Sequence, residues 1–389
     1  MGIDVAIIGS GPNGLAAAVT LARAGLEVTV LEAEPTIGGG ARTGTFPHGE
    51  HEFLVDLCSA VHPLAVASPF FTEFDLAARG VQFAYPEVSY AHPLDGNTAG
   101  LAHRSLTETA ENLQADGQAW LRLLRPLVTN IDSLTDLALG DRSRLPNAIG
   151  RSPVLAARFA SRVLAGSTPV RGLRFSGALA PAMLSGVGAH AIAPPTTPSA
   201  AAIALLLASL AHSHGWPLPV GAARQSQTPS LATSSPTAER CAPIRSSAHG
   251  EGLRAIWTYA HVRRGSTEDV TAAVAGQIER FAPGFGDLVR ASRCISAVRM
   301  ADHNRNYRDG DIAAGAVNIR GLLARPVLSA VPYRTPWKGV YLCSASTPPG
   351  PGVHGMGGWN AARHALREVF GITETPSLAP ESIPETSLE

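Results

Sequence analysis

The N-terminal residues change period twice. Asp4–Gly9 (DVAIIG) is a short apolar, β-branched run of the kind a buried parallel strand shows. From Pro12 to Ala24 the positions Leu15, Ala18, Val19 and Ala22 fall on one helical face, and Gly25 ends that helix as a C-terminal cap. Glu27–Glu32 (EVTVLE) reads as a second strand. The pattern predicts a complete strand–helix–strand unit in about 30 residues.

Further on, helical periodicity is expected at Leu106–Leu139, Val154–Leu164 and Thr197–His214, in a helix-rich lobe. The apolar stretch Ala200–Ala211 is too short to span a membrane, which takes about 20 residues. It reads first as a buried alanine–leucine helix and second as a membrane-dipping segment that admits an apolar substrate. Between Ala222 and Gly252 every period disappears into Ser, Thr, Pro and Ala, and the segment reads as a linker. A structureless loop of that length is unusual inside a compact enzyme. Order returns at Leu253–Val262 (LRAIWTYAHV), read as a strand, and at Thr267–Phe281, read as an amphipathic helix. Gly339–Ser344 (GVYLCS) reads as a buried strand, Trp359–Val369 as a helix capped by Gly371, and the tail from Thr373 as disordered.

Composition narrows the class. With 389 residues, 45% hydrophobic and 16% charged, the chain is long and apolar enough for more than one core. A formal net charge of zero leaves no electrostatic footprint for nucleic acid. Cys58, Cys241, Cys294 and Cys343 are scattered, with no histidine at zinc-like spacing, so neither a disulfide framework nor a metal site is expected. The first strand starts close to Met1, and no targeting segment is expected ahead of it. A cytoplasmic protein, with peripheral membrane contact as a second reading, is the expectation.

Three glycine motifs carry the candidate chemistry. In Gly9-Ser10-Gly11-Pro12-Asn13-Gly14, the first glycine permits the tight strand-to-helix turn. The second lets the backbone approach a pyrophosphate, and the third lets the helix pack on the strand. The helix N-terminus offers free N–H groups and a positive dipole to phosphate. Glu32, at the end of the second strand, suits ribose hydroxyls and repels the 2′-phosphate of NADP. After Ala33 comes E-P-T-I-G-G-G-A-R-T (Glu34–Thr43), where Gly39 and Gly40 allow close backbone approach and Arg42 can neutralise a phosphate. The third motif is the glycine-rich loop within Val340–Arg363, whose N–H groups can face a flavin pyrimidine.

The acidic strand end, the paired glycines and the following arginine resemble the signature of FAD-dependent oxidoreductases of the amine oxidase and phytoene desaturase clan. Val340–Arg363 resembles the C-terminal flavin-binding stretch of the phytoene desaturase-like family. By that resemblance Ser344, Ala345 and Ser346 lie near the pyrophosphate and ribityl chain, and Gly352, Val353, His354 and Met356 lie against the isoalloxazine ring. His51–Pro63 and Gly215–Gly221 also look like this family, within the branch of bacterial phytoene dehydrogenase-like and pyridine nucleotide-disulfide oxidoreductase domain-containing 2 proteins. The resemblance covers Met1–Gly221 and Leu253–Gly371. It implies an α/β fold, a discontinuous FAD-binding Rossmann-like domain with an inserted α+β substrate domain. It also implies hydride transfer from an apolar small molecule to flavin N5. A flavin amine oxidase is an alternative, although no tyrosine pair stands near Trp359.

The expected organisation is FAD domain at 1–60 and 336–371, substrate domain at 61–214 and 253–335, an abnormal linker at 215–252 and a tail at 372–389. Where the family continues with a helix and a strand beside the adenine, 222–252 has the composition of a stretch read out of frame, followed by a deletion. The expected consequences are an unpaired sheet edge and an open or missing substrate cavity, so an inactive remnant of the fold is a second alternative. No catalytic residue is assigned. His190, His212 and His214 lack a partner carboxylate, and His354 reads first as a loop residue. Trp359, Trp257 and Tyr259 read as packing residues before they read as substrate contacts.

Overall fold

The computed structural model describes residues 2–168, 174–221, 253–318, 320–321 and 324–380. The linker expected at 222–252 therefore lies outside the described residues. The chain opens with β1 (Val5–Ile8), α1 (Pro12–Arg23) and β2 (Val28–Leu31). β1 and β2 pair in parallel, Val5 opposite Val28 and Ile8 opposite Leu31. This is the strand–helix–strand unit that the periodicity predicts, within one residue at most boundaries.

An antiparallel hairpin follows, β3 (Thr43–His48) on β4 (His51–Asp56). The helices α2 (Pro63–Val66) and α3 (Pro69–Phe74) lead to β5 (Phe83–Ala84) and to the hairpin β6 (Val88–Leu94) on β7 (Thr98–His103). The helical lobe is α4 (Leu106–Asn112), α5 (Gly117–Val128), α6 (Ile131–Leu139), α7 (Leu145–Arg151), α8 (Pro153–Gly166), α9 (Leu179–Gly188) and α10 (Pro198–Ser213). β8 (Leu218–Pro219) returns to pair with β5. After residue 253 come α11 (Thr271–Phe281), the single turns α12 (Phe285–Leu288) and α13 (Met300–His303), and α14 (Met356–Val369).

The lobe is built around α10. Thr197 caps it by accepting the Ala200 N–H, and Pro198 opens its first turn. Its residues Ala204–His212 are buried against Leu123, Leu124 and Leu127 of α5, Leu134 of α6 and Met183 and Val187 of α9. Two polar side chains inside, Trp120 and His212, are paired. Trp120 Nε1 donates to His212 Nε2 at 3.2 Å, and His212 Nδ1 donates to the His103 carbonyl at 2.9 Å. Ala200–Ala211 is thus the buried helix of the first reading, and its burial removes it as a membrane-dipping surface. Among the described residues no helix is long and apolar enough to cross a membrane.

The sheet differs from expectation. Among the described residues β1 and β2 form a sheet of their own, covered on one face by α1 and α14 through Ile7, Ala17, Ala18, Leu21, Ala362 and Leu366. The other face is bare, with Ile8 87% and Leu31 53% exposed. The strands expected at 253–262 and 339–344 do not form. The first is irregular and exposed, and the second makes an isolated bridge between Tyr341 and Arg334. The physical reason is burial. A parallel strand is stabilised when both faces are covered, and with nothing packed over Ile8 and Leu31 the apolar run at 339–344 gains no dry surface by pairing.

The tail also departs from the disorder expected of it. Over 373–380 it is anchored by Leu378, which is fully buried with Phe70, Phe71 and Phe74. Its N–H donates to Glu73 and its carbonyl accepts from Arg79. Residues 381–389 lie outside the described residues. In the helices, 106–139 breaks into α4, α5 and α6, α11 starts at Thr271, and α14 starts three residues before Trp359.

α1 and α14 cross at glycine. A methyl group on Gly358 would collide with the Asn13 carbonyl oxygen and lie 3.0 Å from the Ala17 nitrogen, both backbone atoms that cannot turn aside. Gly358→Ala is therefore expected to destabilise the protein by about 3 kcal/mol, the upper end of overpacking costs. Gly276→Ala, at an open helical position in α11, is expected to stabilise it by about 0.5–1 kcal/mol through helix propensity. Urea midpoints of the two variants against the parent check the pair.

Candidate functional site

The first glycine motif sits between β1 and α1. Gly9 turns the chain at φ +94° and donates its N–H to the Leu31 carbonyl at 2.8 Å, tying the loop to the end of β2. Gly11 caps α1, Pro12 fills its first position, and the first helical bond runs from the Leu15 N–H to the Gly11 carbonyl at 3.0 Å. The N–H groups of Asn13 and Gly14 therefore have no partner within the helix. A side chain on Gly14 would collide with the Gly9 carbonyl, which is why the helix can seat so tightly on the strand.

The second glycine motif packs on the first. A methyl on Gly39 would stand 2.8 Å from Gly11 Cα, so the two backbones touch. The Gly38 N–H donates to the Ser10 carbonyl at 3.1 Å. Gly40 is covered by the Tyr307 hydroxyl. Glu32 faces the same loop. Its Oε2 accepts from the Ser10 N–H at 2.8 Å and the Ser10 hydroxyl at 2.5 Å, while Oε1 accepts from the Glu34 N–H at 2.9 Å. Partial burial raises the Glu32 pKa, but these hydrogen bonds outweigh it and hold the carboxyl below its ordinary value, so it stays ionised. A carboxylate has about four lone-pair positions, which leaves Glu32 capacity for a hydroxyl. Ala33 is exposed beside it.

Arg42 points inward. Its Nη1 donates to Glu34 at 3.2 Å and its Nη2 to His303 Nδ1 at 3.1 Å, with the side chain almost wholly buried. Burial, and then the Arg42 charge, push His303 down to about 4, so the imidazole is the neutral acceptor this contact needs. The structure thus gives Arg42 a protein carboxylate and a protein imidazole instead of an open aspect toward a phosphate.

The third motif packs on α1 at Asn13, Ala16 and Ala17. Ala345 offers its carbonyl to Arg325 Nε at 2.8 Å, and the Ser346 N–H donates to the Ser344 hydroxyl at 3.2 Å. Gly352 adopts φ +139° against Leu64. Val353 and Met356 are buried in the cluster that contains Phe70, Phe74 and Leu378. His354 is fully enclosed, and both ring nitrogens are used. Nδ1 accepts the Met356 N–H at 3.1 Å, so Nε2 carries the proton and donates to the Gly350 carbonyl at 3.1 Å. Its own carbonyl accepts from the Ser68 hydroxyl. Burial pushes this histidine down to about 4. Trp359 packs on Phe70 with Arg363 over its ring. Trp257 and Tyr259 stack on each other at 5.2 Å in the exposed segment.

The residues divide in their fit to FAD. Gly9, Ser10, Gly11, Pro12, Asn13, Gly14, Glu32, Ala33, Gly39 and Gly40 are brought together around the N-terminus of α1, whose first N–H groups have no partner within the helix, an arrangement that suits the pyrophosphate and ribose of a dinucleotide. Ala345, Ser346, Gly352, Val353, His354 and Met356 share one loop, in which Val353, His354 and Met356 are buried, Ala345 and Ser346 half-buried and Gly352 exposed. The buried three, with His354 hydrogen-bonded at both ring nitrogens, do not fit a flavin ring in this arrangement. Sequence reasoning missed His303 and Tyr307, since no local spacing ties them to Arg42 or Gly40.

Fold and site define a Rossmann-type dinucleotide-binding unit. Residues 7–74 match the NAD(P)-binding Rossmann-like domain family. Over 95 residues the chain is 39% identical to the pyridine nucleotide-disulfide oxidoreductase domain-containing protein 2 of Mus musculus, which is 24% of this chain and 16% of that protein. Over 111 residues it is 30% identical to a limonene dehydrogenase component of Castellaniella defragrans, 28% of this chain and 20% of that one. The matching stretches thus span only a small part of these relatives. A solved putrescine oxidase variant aligns with 60% of this chain and 49% of its own at 20% identity and a TM-score of 0.38, too loose to bear on function. Over the matching stretch the chain shares oxidoreductase ancestry.

His212, His303 and His354 are each neutral when folded, with burial pushing each down to about 4 from an ordinary value near 6.5. The unfolded chain therefore binds more protons between pH 6.5 and 4, and stability is expected to fall as pH drops through that window. Urea midpoints across it should show the slope, and His354→Gln should flatten it. A profile that stays level from pH 6.5 to 4 would contradict the assignment.

Proposed function

We propose that the chain takes up FAD by its adenosine-diphosphate half, in a fold descended from flavin-dependent dehydrogenases that oxidise apolar organic molecules. The observation that carries this reading is the contact of Gly11 with Gly39 beside the N-terminus of α1, with an ionised Glu32 alongside. The N–H groups of Asn13 and Gly14 would face the pyrophosphate, where the helix dipole favours negative charge. Ser10 holds the Glu32 carboxylate at the loop, and its remaining lone pair would accept from a ribose hydroxyl. Arg42, already paired with Glu34, braces the second glycine turn. When bound, the flavin supplies two-electron acceptance from a C–H bond of the substrate. The apolar nature of that substrate rests on the resemblance to phytoene dehydrogenase-like proteins.

A second reading has its own support. In a remnant that binds nucleotide without turnover, the ring-side residues would be packed away and the substrate cavity lost. Val353, His354 and Met356 are interior and Ile8 is bare.

Calorimetric titration with ADP and with FAD separates the readings. Binding of both with similar affinity is expected, lost in Gly11→Val and weakened about tenfold in Glu32→Gln, the worth of one hydrogen bond to a charged group. A folded protein that takes up neither ligand would overturn the proposal. FAD binding a hundredfold tighter than ADP would restore full dehydrogenase chemistry over the remnant.

A further inference from the structure

A separate cluster of chemistry-bearing side chains lies where the hairpin β6–β7 meets α4. Glu87 directly precedes β6, His103 ends β7, and Glu108 sits in the first turn of α4. The fold holds these positions together. His103 pairs with Val88 across the hairpin, and the Arg104 N–H donates to the Glu87 carbonyl at 3.2 Å. Ser105 caps α4 by accepting the Glu108 N–H at 3.2 Å. The His103 N–H donates to Thr109 Oγ1 at 2.9 Å, and the His103 carbonyl accepts from His212. The backbone under the imidazole is therefore fixed from three sides.

The ring turns one buried nitrogen toward acidic groups. His103 is 8% exposed, and its Nδ1 faces Glu108 without hydrogen-bond geometry. That atom lies 3.2 Å from Glu108 Oε1, and one ligand atom from each of Glu87, His103 and Glu108 falls within 4.8 Å of the others. Nε2 lies 2.9 Å from the Asn112 side-chain amide nitrogen. With that amide turned to present its oxygen, Nε2 carries the proton and donates to it, and the Nδ1 lone pair faces the two carboxylates. An imidazole whose far N–H is held by a protein acceptor is the usual support of a metal-ligating histidine. Glu87 is exposed and about half of the Glu108 side chain is exposed, so both can rotate to close on an ion.

We propose that Glu87, His103 and Glu108 bind a divalent first-row transition ion, of which Zn²⁺ is the best match. One imidazole nitrogen and two carboxylates form an N/O donor set that zinc accepts, with water completing its coordination. Mg²⁺ and Ca²⁺ favour oxygen alone and fit the set less well. The ion pins the hairpin to the first turn of α4, at the edge of the lobe core that contains Trp120 and His212.

The test uses the full chain, free of any histidine tag, stripped with a chelator and titrated calorimetrically with Zn²⁺, then with Co²⁺ while the visible absorption is followed. One ion per chain is expected, with Glu87→Gln and Glu108→Gln each weakening binding at least tenfold and His103→Ala abolishing it. The glutamine variants keep the fold intact, since Glu87 is on the surface and Gln retains the cap at 108, and circular dichroism checks this. Absence of Zn²⁺ uptake by the parent, or uptake indifferent to both glutamine variants, would overturn the proposal.

Discussion

Gly358 in α14 lies so close to the Asn13 carbonyl of α1 that only a hydrogen fits between the two backbones. This crossing sets the distance between the first and last glycine motifs and covers one face of β1 and β2 with Ala17, Ala18, Leu21, Ala362 and Leu366. Without it the short parallel pair would have neither face dry. Asn13 is also a residue of the proposed phosphate loop, so the contact that steadies the sheet also positions the N-terminus of α1. The nucleotide site and the packing of the N-terminal unit are in that sense one constraint.

The same economy explains why only half of a site is formed. The phosphate side is local: a strand, a turn, a helix and the next strand, nearly all within the residues that match the Rossmann-like family. Later residues enter it through Tyr307 over Gly40 and His303 on Arg42. Among the described residues no further strand extends the sheet beyond β1, and Ile8 and Leu31 stay exposed. The loop 344–356 then satisfies itself. His354 closes it through both ring nitrogens, and Val353 and Met356 join the cluster around Phe70.

What is legible in the sequence follows the same division. The β1–α1–β2 unit, the buried helix α10 and the two N-terminal glycine motifs can be read because each rests on local period or on glycine spacing. The strands at 253–262 and 339–344 cannot, since an apolar run becomes a strand only if a covered neighbour exists to receive it. Arg42 reads as a phosphate ligand, yet it reaches His303, 261 residues away. Leu378, in a segment composed like a disordered tail, is held by Glu73 and Arg79, some 300 residues earlier in the chain. Contacts of that range leave no local signal.

Hydrogen exchange of the backbone amides, measured with ADP and with FAD against the free protein, tests the half-site most directly. The account predicts that both ligands protect residues 9–15 to the same degree and that FAD adds no protection at 344–356. Protection of 344–356 by FAD alone, or none at 9–15 with either ligand, would contradict it.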